Sequence, residues 1–115
     1  MERLRKHRKF LQNLLLHRAH KRKVKRSLEK ANSGEVCVIC EVVKNLVHNP
    51  QIAKQLSEKQ RKQLHKHKRQ IRKLIDRQVS GKKKRNILQS GAGGVLLPLI
   101  LGIVAPIISR LLTTA

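Results

Sequence analysis

An all-α fold is predicted by three features of this sequence. Leu64, Ile71, Leu74 and Ile75, with Val79 beyond them, recur at the spacing of an amphipathic helix. Asn32 with Glu35, and Ser57 with Gln60, stand three residues apart ahead of such runs, the signature of capping boxes. The most apolar internal stretch, Val36 to Val47, has the β-branched content of a strand, but its polar residues Glu41, Lys44 and Asn45, with His48 beyond, fall three and four apart. That spacing gathers them on one side of a helix and leaves the rest apolar.

Length and charge set the next bounds. The chain has 115 residues, room for one small folded unit and its tails. Lys and Arg number 28 against 6 acids, a formal charge of +22, so a polyanion is the expected partner and nucleic acid the leading one. Phe10 is the only aromatic residue. That disfavours base-stacking modules and points to phosphate contact. The positive excess lies in residues 1–31 and 55–90, whereas residues 32–54 are balanced and residues 91–115 carry Arg110 alone. Three segments follow: a basic N-terminal arm over 1–31, a three-helix basic unit over 32–90, and a Gly hinge with an apolar tail over 91–115.

In the arm, Leu4, Leu11, Leu14 and Leu15 give a weak helical stripe, followed by Lys21-Arg-Lys-Val-Lys-Arg26. Like charges crowd every face, so the arm is expected to be solvated and to order on a polyanion. It is too charged for a secretory leader, and the protein is expected to stay in a reducing compartment. Next comes a mostly buried helix from the Asn32 cap to the His48-Asn49-Pro50 stop. The Ser57 cap opens a helix expected to run to about Gln78, with Lys59, Arg61, Lys62, Lys66, Lys68, Arg69, Arg72, Lys73 and Arg77 around its seam. Ser80 and Gly81 break it, and Lys82-Lys-Lys-Arg85 leads into a short third helix that returns Ile87 and Leu88 to the core. The expected core sets Val36, Ile39, Val43, Leu46 and Val47 against Leu64, Ile71, Leu74 and Ile75.

Gly91-Ala-Gly-Gly94 reads as a break between modules. After it, Val95 to Ile108 is uncharged and interrupted by Pro98, Gly102 and Pro106. As a helix it reaches about 21 Å, short of the roughly 30 Å of a bilayer core. The expectation is that Val95, Leu96, Leu97, Leu99, Ile100, Leu101, Ile103, Val104, Ile107 and Ile108 meet a membrane or an apolar partner, rather than pack on the core.

The motifs that could carry chemistry each have a simpler reading. Cys37 and Cys40 form a Cys-x-x-Cys pair without a second pair to complete a zinc site, and read as small buried hydrophobes. His65 and His67 alternate on a helix and point apart. The six acids are scattered, with no pair placed for acid and base work; Asp76 is expected to pair with Arg72 or Lys73. No enzyme, cofactor or metal is implied. The phosphate-binding candidates are Lys21, Arg22, Lys23, Lys25, Arg26, Lys59, Arg61, Lys62, Lys66, Arg69, Arg72, Lys73, Lys82, Lys83, Lys84 and Arg85, the last four also matching a short nuclear-import cluster.

The order of segments resembles a known family. Glu41-Val-Val-Lys-Asn-Leu-Val47, Leu64-His-Lys-His-Lys-Arg-Gln-Ile-Arg-Lys-Leu74, Val79-Ser-Gly-Lys-Lys-Lys-Arg-Asn-Ile-Leu88 and Gly93-Gly-Val-Leu-Leu-Pro-Leu-Ile100 together resemble a small basic protein of Polinton (Maverick) elements and adintoviruses. The last stretch is also similar to the end of the adenovirus core protein X, the precursor of the DNA-condensing mu peptide. The resemblance, over residues 33–108, implies a virion core protein of the host nucleus and particle that condenses double-stranded DNA. RNA, capsid protein, an anionic membrane and a second copy are further partners the charge and the tail allow. A membrane-associated cationic protein held by its tail is the alternative.

Overall fold

The computed structural model describes residues 5–18, 20–90 and 96–113, with side chains to residue 110. Among them run eight helices: α1 (Arg8–Leu16), α2 (Lys21–Lys30), α3 (Ser33–His48), α4 (Pro50–Ala53), α5 (Glu58–Lys66), α6 (Lys68–Ile75), α7 (Gly81–Ser90) and α8 (Leu96–Thr113). No strand occurs among the described residues, and the all-α class predicted from the sequence holds.

Local chemistry sets the helix starts. Asn32 Oδ1 accepts from the Glu35 backbone N–H at 2.8 Å while Glu35 Oε1 accepts from the Asn32 N–H at 2.9 Å, so both capping-box bonds form at α3. Ser57 and Gln60 repeat the exchange at α5 with 3.1 and 3.0 Å. Asn49 ends α3 and caps α4, its Oδ1 accepting from Gln51 N–H at 3.0 Å with Pro50 in the first turn. The Ser80 hydroxyl accepts from Lys83 N–H at 3.2 Å and opens α7.

A single apolar cluster joins these helices. At its centre α3 buries Val36, Val38, Ile39, Cys40, Val42, Val43 and Leu46. Against it lie Ile71 and Leu74 of α6 and Leu88 of α7, as the seam spacing predicts. A fully buried Leu of this kind contributes on the order of 1.5–3 kcal/mol. Leu64 and Ile75 are only partly covered, and Val47 is 44% exposed, outside the core expected for it.

The arm is helical but not a solvated strand of charge. Leu11, Leu14 and Leu15 of α1 and Val24 and Leu28 of α2 are buried in the same cluster. Helices too charged to stand alone are stable once an apolar stripe finds a tertiary partner. The helix expected from Ser57 to Gln78 is broken at His67, whose N–H bonds to the Leu64 carbonyl at 3.1 Å, a tightened turn. Its two halves have different supports: α6 is pinned on α3, whereas α5 buries no residue. The second half ends at Ile75 because Asp76 Oδ1 accepts from Gln78 N–H at 2.9 Å, forming an Asx turn in place of the expected pairing with Arg72 or Lys73.

The tail differs most from expectation. Leu96, Leu97, Ile100, Leu101, Ile103, Val104 and Ile108 are buried in the common cluster, and Leu99 and Ile107 are partly covered. Gly102, Pro106, Ser109 and Arg110 are exposed, and Pro98 is half-exposed. Pro98, Gly102 and Pro106 recur every four residues and so share one face, which faces outward. The hydrogen bond that Pro106 cannot donate would have gone to the Gly102 carbonyl, on that wet side, so α8 runs through the proline at small cost. No described helix is long and apolar enough to cross a membrane. The Gly91–Gly94 hinge and Val95 lie outside the described residues.

Candidate nucleic-acid interface

Burial of one stripe on each basic helix decides where the cations go. In α2, Val24 and Leu28 face the core, and Lys21, Arg22, Lys23, Lys25 and Arg26 are left exposed. In α6, Ile71 and Leu74 are seated against α3, and Arg69, Arg72 and Lys73 stand outward. The exposed Lys59, Lys62 and Lys66 of α5 precede Arg69 and Lys73 at steps of three and four, a cationic ridge across the break at His67. A shallow depression beside this ridge is lined by Lys59, Lys62 and Lys66 with Glu58 and Gln63. Glu58 and Lys62 approach to 3.8 Å with both side chains exposed, a pair worth little in water. The ridge therefore keeps nearly all its charge for a partner.

Lys82 and Lys83 are exposed on α7, but the rest of the import-like cluster is turned inward. Lys84 is half-buried. The Arg85 guanidinium donates to the carbonyls of Ala31 at 2.6 Å, Glu29 at 3.2 Å and Leu28 at 3.4 Å, at the C-terminal end of α2. A helix leaves its last carbonyls unpaired and carries partial negative charge there. Arg85 answers both needs and ties α7 to the arm. Arg61 similarly donates to the Ala53 carbonyl at 3.1 Å, although its side chain is exposed. The Arg85 role is not visible in the local sequence, since its acceptors lie more than fifty residues away.

The remaining chemistry-bearing residues do not assemble. Cys40 is buried, as a small hydrophobe should be, whereas Cys37 is exposed. Burial pushes the Cys40 thiol up from 9.0 to about 11, with the Lys84 ammonium pulling the other way, so it stays protonated at neutral pH. No three His, Cys, Asp or Glu side chains among the described residues could hold a metal ion together. His17 and His20 lie edge to face at 6.3 Å just ahead of α2. What the surface offers is exposed positive charge, with few planar groups on which a base could stack.

No curated protein and no solved structure matches the chain. The family model of the CarD C-terminal domain matches residues 12–75, from within α1 to the end of α6 and more than half of the chain. The matched span contains the second half of α1, all of α2 and the α5–α6 ridge, while α7 and α8 lie beyond it and complete the core. This match supports a DNA-associated, transcription-related binding role for the chain. By that match over most of its folded helices, the chain belongs to the CarD C-terminal domain family.

Proposed function

We propose that this protein binds double-stranded DNA through its phosphates, without sequence preference, and compacts it, performing no chemistry of its own. The observation that carries the reading is the α5–α6 ridge: exposed Lys and Arg at successive turns, its α6 half held to the core by Ile71 and Leu74, with further exposed cations on α2. Sequence-specific reading would require side chains aimed at base edges from an element that fits the major groove. The ridge is mostly Lys, a flexible point charge that suits phosphate contact better than the bidentate base reading an Arg fork provides. Cations on α2, on α5–α6 and at the start of α7 allow more than one duplex to be held, which is what compaction needs. The resemblance to Polinton, adintovirus and adenovirus core proteins extends the proposal to a virion core assembled in the host nucleus.

Salt dependence tests this reading. The molecule extends about 31 Å along its long axes. A face of that length covers roughly nine base pairs at about 3.4 Å each, enough for on the order of 6 to 10 phosphate contacts. Affinity is then expected to fall by about 10³ to 10⁵ between roughly 50 and 200 mM salt, equally for unrelated duplexes. Changing Lys66, Arg69, Arg72 and Lys73 to Gln is expected to weaken all sequences alike and to flatten the slope. A shallow slope, or a marked preference for one duplex, overturns the proposal; light scattering on long DNA separates compaction from simple binding.

A further inference from the structure

A second surface flanks the ridge and shares Arg72 with it. Between α3, α4, α5 and α6 runs an open groove of about 390 Å³ with a floor of Leu46, Val47, Ala53, Leu56, Leu64 and Ile71. Four cationic or protonatable side chains border it, Arg61, His65, Lys68 and Arg72, and no acid does. Arg61 and His65 line it from α5, and Lys68 and Arg72 from α6. Val47 on the floor is 44% exposed, one of two large hydrophobic side chains left open among the described residues. Arg61 is held by its bond to the Ala53 carbonyl, so part of the rim is set before any partner arrives. The groove accounts for three departures from the expected core: the exposure of Val47, the partial cover of Leu64 and the departure of α5 from α3.

From this juxtaposition we propose that the groove is a docking site for an acidic amphipathic helix of a partner protein, whose apolar residues enter the floor while its carboxylates meet Arg61, His65, Lys68 and Arg72. The chemistry narrows the occupant. A phosphate backbone gains nothing from an apolar floor, and no aromatic lines the groove to stack a base. A second copy of this chain would bring its own +22 against a cationic rim. Added strands need a sheet edge, and none exists among the described residues, whereas helix-in-groove recognition needs only apolar anchors at i, i+3 or i+4 and i+7. Opposite charge along the edge fixes register and speeds encounter.

The test uses the full chain and a fluorescein-labelled helical peptide with Leu at i, i+3 and i+7 and Glu at the positions between. Controls are a peptide of the same composition with its leucines scattered around the helix, and a duplex as competitor. The facial peptide is expected to bind about tenfold or more tighter than the scattered one, a difference of roughly 1.4 kcal/mol. Val47→Asp is expected to abolish that preference and leave duplex affinity unchanged, with folding checked by its melting temperature. Val47→Ser, an uncharged and milder change at the same exposed floor position, is a second variant with the same expected loss should Val47→Asp fail to fold. Equal binding of the two peptides would reduce the effect to non-specific attraction and overturn the proposal. So would a loss of duplex affinity in Val47→Asp matching its loss of peptide affinity, which would make the groove a nucleic-acid surface.

Discussion

Arg85 was a phosphate-binding residue by sequence, yet its guanidinium closes the end of α2, and the two roles predict different behaviour on substitution. Arg85→Ala removes donors to Ala31, Glu29 and Leu28 at 2.6, 3.2 and 3.4 Å. Hydrogen bonds to a charged group contribute roughly 1.5–3 kcal/mol each, but Arg85 is half-exposed and water can replace part of the set. A total loss of about 2–3 kcal/mol is expected, a large fraction of the roughly 5–15 kcal/mol typical of a folded domain. Urea unfolding of wild type, Arg85→Ala and Arg85→Lys measures it. Lysine keeps the charge at the helix end without the planar fork that reaches several carbonyls, so Arg85→Lys is expected to recover only part of the loss. If Arg85→Ala unfolds at the wild-type urea midpoint while losing DNA affinity as Lys83→Gln does, Arg85 is a phosphate contact and the capping role is refuted.

Two further outcomes follow from burial. Leu74→Ala in α6 and Leu97→Ala in α8, both at sites of 1% exposure or less, are each expected to cost about 2–5 kcal/mol by denaturant unfolding, whereas Val47→Ala is expected to change stability by under about 0.5 kcal/mol; an unchanged midpoint in Leu97→Ala would detach α8 from the core. Cys40 holds its proton to about 11 in the folded state and releases it near 9.0 when unfolded, so its contribution is present below pH 9.0 and is lost as pH rises towards 11. Measured as the difference in pH dependence between wild type and Cys40→Ala, this loss is expected to be about 1–2 kcal/mol after allowing for solvent screening. Parallel curves for the two proteins would show that the thiol does not titrate differently on folding.

What the sequence made legible was local. Both capping boxes, the Asn49-Pro50 stop and the return of Leu88 are decided by residues within a few positions of one another, and each forms as the spacing predicts. The helical character of α3 could be read against its β-branched composition because Lys44 and His48 needed one exposed side. Tertiary partners were not legible in the same way. Leu11, Leu14 and Leu15 supplied the stripe of α1, but nothing nearby said that α8 would cover it, and so the arm read as a solvated one. In α8 the pattern was visible in retrospect: Pro98, Gly102 and Pro106 mark an outward face as polar residues do elsewhere, a signal that hydrophobicity alone passes over. The exposed cations of α2 and α6 were identifiable because periodicity placed them opposite an apolar stripe. The bonds of Arg85 to the end of α2 were not legible, because a carbonyl acceptor more than fifty residues away leaves no trace in the local sequence.

The distribution of cover and charge also fixes which element a polyanion should affect first. Among the described residues no charged side chain is buried, so the excess charge sits on the surface and is screened only over a Debye length of about 10 Å at 0.1 M salt. Neighbouring cations one helical turn apart lie well inside that length and repel. Repulsion of this kind is carried without harm by α2 and α6, whose buried Val24, Leu28, Ile71 and Leu74 hold them to the core. Helix α5 has the crowding without the anchor: Lys59, Arg61, Lys62 and Lys66 within nine residues and no buried side chain. Its order rests on the Ser57 capping box and the partly covered Leu64. Neutralising phosphates would remove the repulsion and add fixed partners along the ridge, and α3, already closed within the core, has little to gain. Amide hydrogen exchange with and without duplex DNA is therefore expected to slow in α5 well before it slows in α3. Uniform slowing across all helices would instead trace to global stabilisation by binding, and would show that α5 is as firmly held in the free protein as the rest.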